Sequence, residues 1–371
     1  MSATQVPFLD LASQIAPLRE EIDAALRRVL DSGWFVLGPE LEAFERELAE
    51  RFGAHTAVGV ANGTEALQLA LEALGVGPGD EVITTPLTAA FTALAIVRAG
   101  ARPVFADVDP RTLNLDPTAT ERAITLRTRA LLPVHLYGHP ANLDPLREIA
   151  RRHGLVLIED GCQAHGAKYK DRAIGATGAV ALSFYPTKNL GALGDGGALL
   201  LDDDEAAARV RELRNGGQRA RYEHLRLGMN SRLDELQAAV LRVKLRRLES
   251  WVERRRALAE IYREDLAGCG LDLPEEASYA RAAWHLFVVR HPRRDALAAA
   301  LKVRGVETLV HYPVPVHRQP AFAVVVPPET RFPVAELAAS SVLSLPLYPE
   351  MSDARVRFVA GVVREAVAAI G

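Results

Sequence analysis

Through the first two-thirds of this chain, short apolar runs alternate with stretches of helical period, and that alternation limits the fold more than any other feature. Residues 55–60, 81–84, 102–106, 129–133, 155–158, 179–184 and 196–201 read as strands. Residues 15–30, a stretch from 39 to Gly53, one running on from Thr64 to Leu74, and 89–98, 142–153 and 205–214 carry apolar residues at helical spacing. Strands that are apolar at nearly every position are buried on both faces, which requires a mostly parallel sheet covered by helices. Open sheets of this kind bind ligands beyond the carboxyl ends of their strands. No GxGxxG follows the first strand, which argues against a dinucleotide site.

Two strand ends carry chemistry. The run 155–158 leads into Glu159 and Asp160, and the run 179–184 delivers Ser183 and then Lys188. A buried carboxylate and a nearby amine are the minimum equipment for a pyridine-ring cofactor: the amine condenses with its aldehyde, and the carboxylate keeps the ring nitrogen protonated. Taken singly, each residue has an ordinary reading, since strands often end in acidic residues and a lysine followed by asparagine suits a surface turn. Gly63 and Thr64 open a helix after the first strand. The free amides of its first turn attract an anion, although Gly-Thr is also a common helix cap.

The segments EDGCQAHGA, SFYPTKNLG and GMNSRLDELQAA resemble the signatures of the DegT/DnrJ/EryC1 family of pyridoxal-phosphate-dependent sugar aminotransferases, from Pro7 almost to the C-terminus. The resemblance implies fold-type I: an α/β large domain with a mostly parallel sheet, assigned here to residues 1–245, and a small α/β domain over 246–371. It implies pyridoxal 5′-phosphate held by Lys188 and Asp160, with the amide of Gln163 directed at the cofactor's phenolic oxygen. Gly63, Thr64 and Ser183 then hold the phosphate, together with Asn230 from the neighbouring subunit of a homodimer whose sites are shared. Histidine stands at the Lys188 position in the family's dehydratases, so lysine here points to an aminotransferase. One departure is visible. The family stacks an aromatic ring on the cofactor at the position matching Ala90; Phe91 comes one residue later and, on a helix, is expected to point roughly 100° away.

Other features are read beside that resemblance. The connection DSGWFVLGP places Trp34 and Phe35 in a packed loop, a subunit interface or a sugar pocket. His311, Tyr312 and His317 lie in VHYPVPVHRQPAF, where proline stiffens the backbone and the polar groups suit a sugar or diphosphate. His135 and His139 flank a Gly-Pro-bearing turn near the site mouth; no metal site is read there. His165 reads as structural. One long helix is expected from Asp234 to about Leu266, and a short strand over 308–310.

Composition narrows the class. Lys and Arg number 44 against 47 Asp and Glu, too near balance for a nucleic-acid binder. Two cysteines give no disulfide framework. No leader and no membrane-spanning apolar stretch is read, so a cytoplasmic location is expected. The expected reaction is transfer of an amino group from L-glutamate to a nucleotide-linked 3-keto sugar, with a dTDP-3-keto-6-deoxyhexose first. A UDP-linked 3-keto uronic acid, paired with Arg318 or an arginine near 219–226, a 4-keto sugar nucleotide and a keto-cyclitol are the enzymatic alternatives. A cofactor-binding regulator is the non-enzymatic one.

Overall fold

The computed structural model describes residues 5–327 and 329–370. Strands β1 (Thr56–Val60), β2 (Glu81–Thr84), β3 (Arg102–Phe105), β4 (Thr128–Leu132), β5 (Val156–Asp160), β6 (Ala179–Ser183) and β7 (Gly197–Leu201) form one sheet in the order β1-β7-β6-β5-β4-β2-β3. Only β7 runs against its neighbours; the remaining pairs are parallel. The carboxyl ends of β1, β2, β4, β5 and β6 therefore share one edge, and the segments leaving them are what the sheet can bring together.

Successive residues of each strand serve opposite cores, as strand geometry demands. Val58, Val60 and Ala181 face Leu67 and Leu71 of the helix over Gly63–Ala73, Ile96 of the helix over Ala90–Arg98 and Val210. Ala57, Val180 and Leu182 face Leu41, Phe44 and Leu48 of the helix over Pro39–Phe52 and Leu241 of the helix over Glu235–Leu245. Each valine, leucine, isoleucine or phenylalanine among them contributes about 1.5–3 kcal/mol when fully buried. A separate core joins Leu258 and Tyr262 of the helix over Leu248–Asp265, Phe287 and Val289 of a strand over Phe287–Arg290, Leu343 and Leu345 of its antiparallel partner over Val342–Leu345, and Val359 and Val363 of the last helix, Asp353–Ile370. Val6 packs there too and donates its amide to Gly305.

Two expectations change in detail, and one feature is new. The helix expected from Asp234 to Leu266 is interrupted at Arg246 and Arg247, whose guanidiniums both turn to Glu21, at 2.8 and 2.9 Å. The strand expected over 308–310 shrinks to one bridge between Leu309 and Ser344, since Leu309 alone pairs with the edge. A small three-stranded sheet of Lys168–Tyr169, Arg172–Ala173 and Ala280–Arg281 has no counterpart in the sequence reading, because two-residue strands carry no period. Among the described residues no helix is long and apolar enough to cross a membrane.

The start of the Pro39–Phe52 helix is held from a distance. Gly38 offers no side-chain cap, and the buried carboxylate of Glu235 accepts from the amides of Gly38, Glu40 and Leu41 at 2.9, 2.8 and 3.0 Å. Glu235→Ala should cost about 2–4 kcal/mol by stranding these donors, and Glu235→Gln less. The midpoint of urea unfolding at fixed protein concentration measures it; an unchanged midpoint for Glu235→Ala would contradict this assignment.

Candidate active site

The segments leaving β1, β2, β5 and β6 enclose a cleft of about 680 Å³, closed on its far side by residues 285–286 and 311–312. Lys188, Asp160, Gln163, Ser183, Gly63, Thr64, His311 and Tyr312 all line it. Gly63, Thr64, Asp160, Gln163, Ser183 and Lys188 thus meet because the strands that carry them are parallel, while 285–286 and 311–312 come from outside that sheet.

Asp160 ends β5 with its carboxylate turned into the floor. Thr92 Oγ1 donates to one oxygen at 2.8 Å and the Cys162 amide to the other at 3.1 Å. Two donors fix the plane of the carboxylate while leaving acceptor capacity for a further N–H. Thr92 was not singled out in the sequence; its only signal is a hydroxyl on the buried face of an otherwise apolar helix. Lys188 lies in the turn after β6, where its amide donates to Tyr185 O. Burial pushes its ammonium below the usual lysine value. Cys162 and Asp160 pull the other way, but burial also raises the Cys162 thiol, which leaves Asp160 as the neighbouring negative charge. A lysine so depressed presents more free amine, the form that attacks an aldehyde.

At the other end of the cleft, Asn62 caps the Gly63–Ala73 helix by accepting from the Glu65 amide at 2.9 Å, which leaves the first-turn amides of Gly63 and Thr64 for an anion. A Cβ on Gly63 would lie 2.7 Å from Ser183 Cβ and 2.8 Å from Cys162 Sγ, so any side chain there would fill the cradle. Gln163 is oriented by the Tyr137 amide, which donates to its Oε1 at 2.7 Å; its Nε2 donates to Tyr312 Oη at 3.0 Å and retains a second hydrogen. A carboxylate for a ring nitrogen, an amine, an amide and an anion cradle are the set that pyridoxal phosphate requires, and they occupy one cleft.

The substrate side differs more from expectation. His311 bonds through Nδ1 to Ser344 Oγ at 2.8 Å, and burial together with the Lys188 charge lowers its pKa to about 4. Burial pushes Tyr312 up to about 12, so both groups are neutral at physiological pH. His317 does not reach this chain's cleft: its ring is buried between Phe105 and Phe332 and its Nε2 meets Glu336 at 2.9 Å. Trp34 is exposed, with its indole N–H donated to Val36 O at 2.8 Å, and it is not part of the lining. Asn230 is also exposed and outside the lining, paired through its backbone with Asn215. Contrary to expectation, Phe91 lines the cleft, 63% exposed, while Ala90 packs inward toward Phe105 and Phe322. The helix begins only at Ala90, which turns its second residue toward the opening.

His135 and His139 are buried, not at the mouth. The Ala141 amide donates to His135 Nδ1, so Nε2 carries the proton toward Glu159; His139 Nε2 accepts from the Ala277 amide. His165 packs against Phe184 with both ring nitrogens unpartnered, its pKa lowered to about 3 by burial and by Lys188.

The family described as DegT/DnrJ/EryC1/StrS aminotransferases matches residues 17–364. The dTDP-3-amino-3,4,6-trideoxy-alpha-D-glucose transaminase of Streptomyces venezuelae is 54% identical over 363 residues, covering 97% of this chain and 96% of that protein. The crystal structure of S. venezuelae DesV in complex with a ketimine intermediate superposes with a TM-score of 0.96, covering 98% of each chain at 54% identity. The Bacillus subtilis NtdA structure with bound cofactor PMP superposes with a TM-score of 0.92 at 32% identity, covering 99% of this chain and 86% of that one. A cleft built for pyridoxal phosphate and a match over nearly the whole chain lead to one conclusion: this protein belongs to the DegT/DnrJ/EryC1/StrS family and is a pyridoxal-phosphate-dependent aminotransferase of fold-type I.

Proposed function

We propose that this enzyme transfers the amino group of L-glutamate to the C3 carbonyl of a dTDP-linked 3-keto-6-deoxyhexose, working as a homodimer whose sites are shared. The observation that carries the reading is the near-complete likeness to a transaminase named for a dTDP-3-amino sugar, in a chain whose cleft holds Lys188 and Asp160 together.

When bound, pyridoxal phosphate supplies the electron sink and carries the amino group from one half-reaction to the next. Asp160, held by Thr92 and the Cys162 amide, keeps a proton on the ring nitrogen through a charge-assisted bond. Gly63, Thr64 and Ser183 would bind the phosphate, and Gln163 would give its remaining N–H to the phenolic oxygen. Lys188 would hold the cofactor and, as a free amine, its Nζ would take the proton from the donor's α-carbon and in the second half-reaction deliver one to C3 of the sugar. Tyr312 and His311 offer neutral hydrogen bonds to the acceptor, so that a bound sugar adds no unpaired charge to the cleft.

Asn230 serves the partner's phosphate in this reading. Supporting it are the exposure of the loop before it and the large apolar side chains left in water nearby in sequence, Tyr222 and Leu227, with Trp34 and Phe35 from the N-terminal connection. A second copy would cover them and bring Trp34 to the neighbouring cleft.

Two outcomes are expected. Run in reverse with 2-oxoglutarate, the enzyme should form glutamate from a dTDP-3-amino-6-deoxyhexose and not from its 4-amino isomer. Turnover of the 4-amino sugar alone would overturn the C3 assignment, and a preference for a UDP-linked uronic acid would move the acceptor class. In the second test, inactive Lys188→Ala chains and inactive Asn230→Asp chains are mixed under subunit exchange, and activity should reappear, because one of the two clefts then has both native residues. Verified heterodimers of folded chains with no activity would place both residues in the same chain's site.

A further inference from the structure

His285 was not singled out in the sequence, and none of the roles assigned above uses it. It lines the cleft beside His311 and Tyr312 and is 7% exposed. Its Nδ1 is sealed in the protein without a hydrogen-bond partner, so the nitrogen left for the cleft is Nε2. A buried N–H without an acceptor is the rarer and costlier defect, which favours the tautomer with the proton on Nε2. Of the other histidines of the region, His317 is committed to Glu336 and His165 packs against Phe184, while His311 bonds Ser344 through Nδ1 and has only Nε2 for the acceptor.

The chain holds this residue unusually firmly. Trp284, just before it, has φ of +45°, a strained value for a bulky side chain that persists only where surroundings enforce it. The enforcement is visible on both sides. Ala283 N donates to Gly138 O at 2.8 Å, Asn189 Nδ2 to Ala283 O at 2.9 Å and Leu286 N to Tyr137 O at 3.3 Å. From the second core, the buried Arg255 gives one Nη1 to the carbonyls of Trp284, His285 and Leu347, at 3.3, 3.3 and 2.8 Å. Gly138 is needed for the approach, since a Cβ there would lie 2.8 Å from His285 N. A strained segment clamped by a buried guanidinium serves to aim one imidazole.

We propose that His285 selects the acceptor: its Nε2–H donates a hydrogen bond to the oxygen on a sugar-ring carbon adjacent to the one aminated. This rests on the acceptor being a 3-keto sugar nucleotide, as above. Burial, with the Lys188 charge, keeps the ring pKa well below its ordinary value, so the imidazole donates as a neutral group and adds no second cation beside the amine. On glutamate the α-carboxylate takes one of the two carbons beside the reacting carbon and the other, Cβ, bears no oxygen; facing the Cβ side, His285 makes the contact in one half-reaction only.

The test compares His285→Phe and His285→Gln with the wild-type holoenzyme in separated half-reactions. For His285→Phe, kcat/KM with a dTDP-3-amino-6-deoxyhexose should fall about 10- to 100-fold, and the glutamate half-reaction far less. Calorimetry should show weaker binding of the amino sugar and unchanged retention of cofactor. His285→Gln, which places an amide N–H near the same point, should recover part of the loss. With the 2-deoxy and 4-deoxy analogues, wild type should drop to the level of His285→Phe on one of them, and the variant should not discriminate that analogue. Equal losses in both half-reactions, or a variant that discriminates both analogues as wild type does, would overturn the role of His285. A wild-type enzyme inactive on every 3-amino sugar nucleotide would overturn the acceptor reading and this proposal with it.

Discussion

The architecture turns on keeping an ammonium-forming side chain and a carboxylate close together in a poorly solvated floor. Asp160 and Lys188 leave adjacent parallel strands, with Asp160 paired to Ala181 in register. That pairing fixes where Asp160 and the turn carrying Lys188 begin, because shifting it by one residue would turn every side chain of the strand to the opposite core. The energetic risk of a buried carboxylate is met locally by Thr92 and the Cys162 amide. Burial then acts on the lysine in the useful direction, lowering its pKa. Stability and reactivity thus draw on the same desolvation.

The second core reaches the cleft through backbone, not only through side chains. Arg255, 2% exposed, spends its guanidinium on three carbonyls, and Asn189, next to Lys188 in sequence, anchors to Ala283. Tyr137, whose hydroxyl donates to the His311 carbonyl, also orients Gln163 through its amide. Gln163 in turn holds Tyr312. The cofactor end and the substrate end of the cleft are therefore coupled through a continuous set of hydrogen bonds, and a change at Tyr137 would be felt at both.

The sheet was legible because buried parallel strands are short, apolar and separated by amphipathic helices, a pattern with few alternatives. Asp160, Lys188, Ser183 and Gly63 were legible for a related reason, since each stands within a few residues of a strand's end. Thr92 and His285 were not. One is a hydroxyl inside a helix and the other sits in a strand-like apolar run, and only three-dimensional closure shows what they face. His317 failed in the opposite way: its segment was rich in polar groups, yet Glu336, nineteen residues on, captures it. Phe91 was misplaced because its orientation depends on where the helix begins, and helix starts are the least certain part of a periodic reading. Trp34 and Asn230 are exposed and lie outside this chain's cleft.

The central claim is that Lys188 is the lysine that carries the cofactor. Two competitors are chemically reasonable: Lys244, which is buried and lowered to about 8 by that burial but donates to Gly191 O, and Lys170, which pairs with Asp144 on the surface. Borohydride reduction of the holoenzyme followed by peptide mass mapping decides among them. The account predicts a pyridoxyl group on Lys188 alone and no labelled peptide from Lys188→Ala; a label on Lys244, Lys168 or Lys170, or an unlabelled wild type, would contradict it.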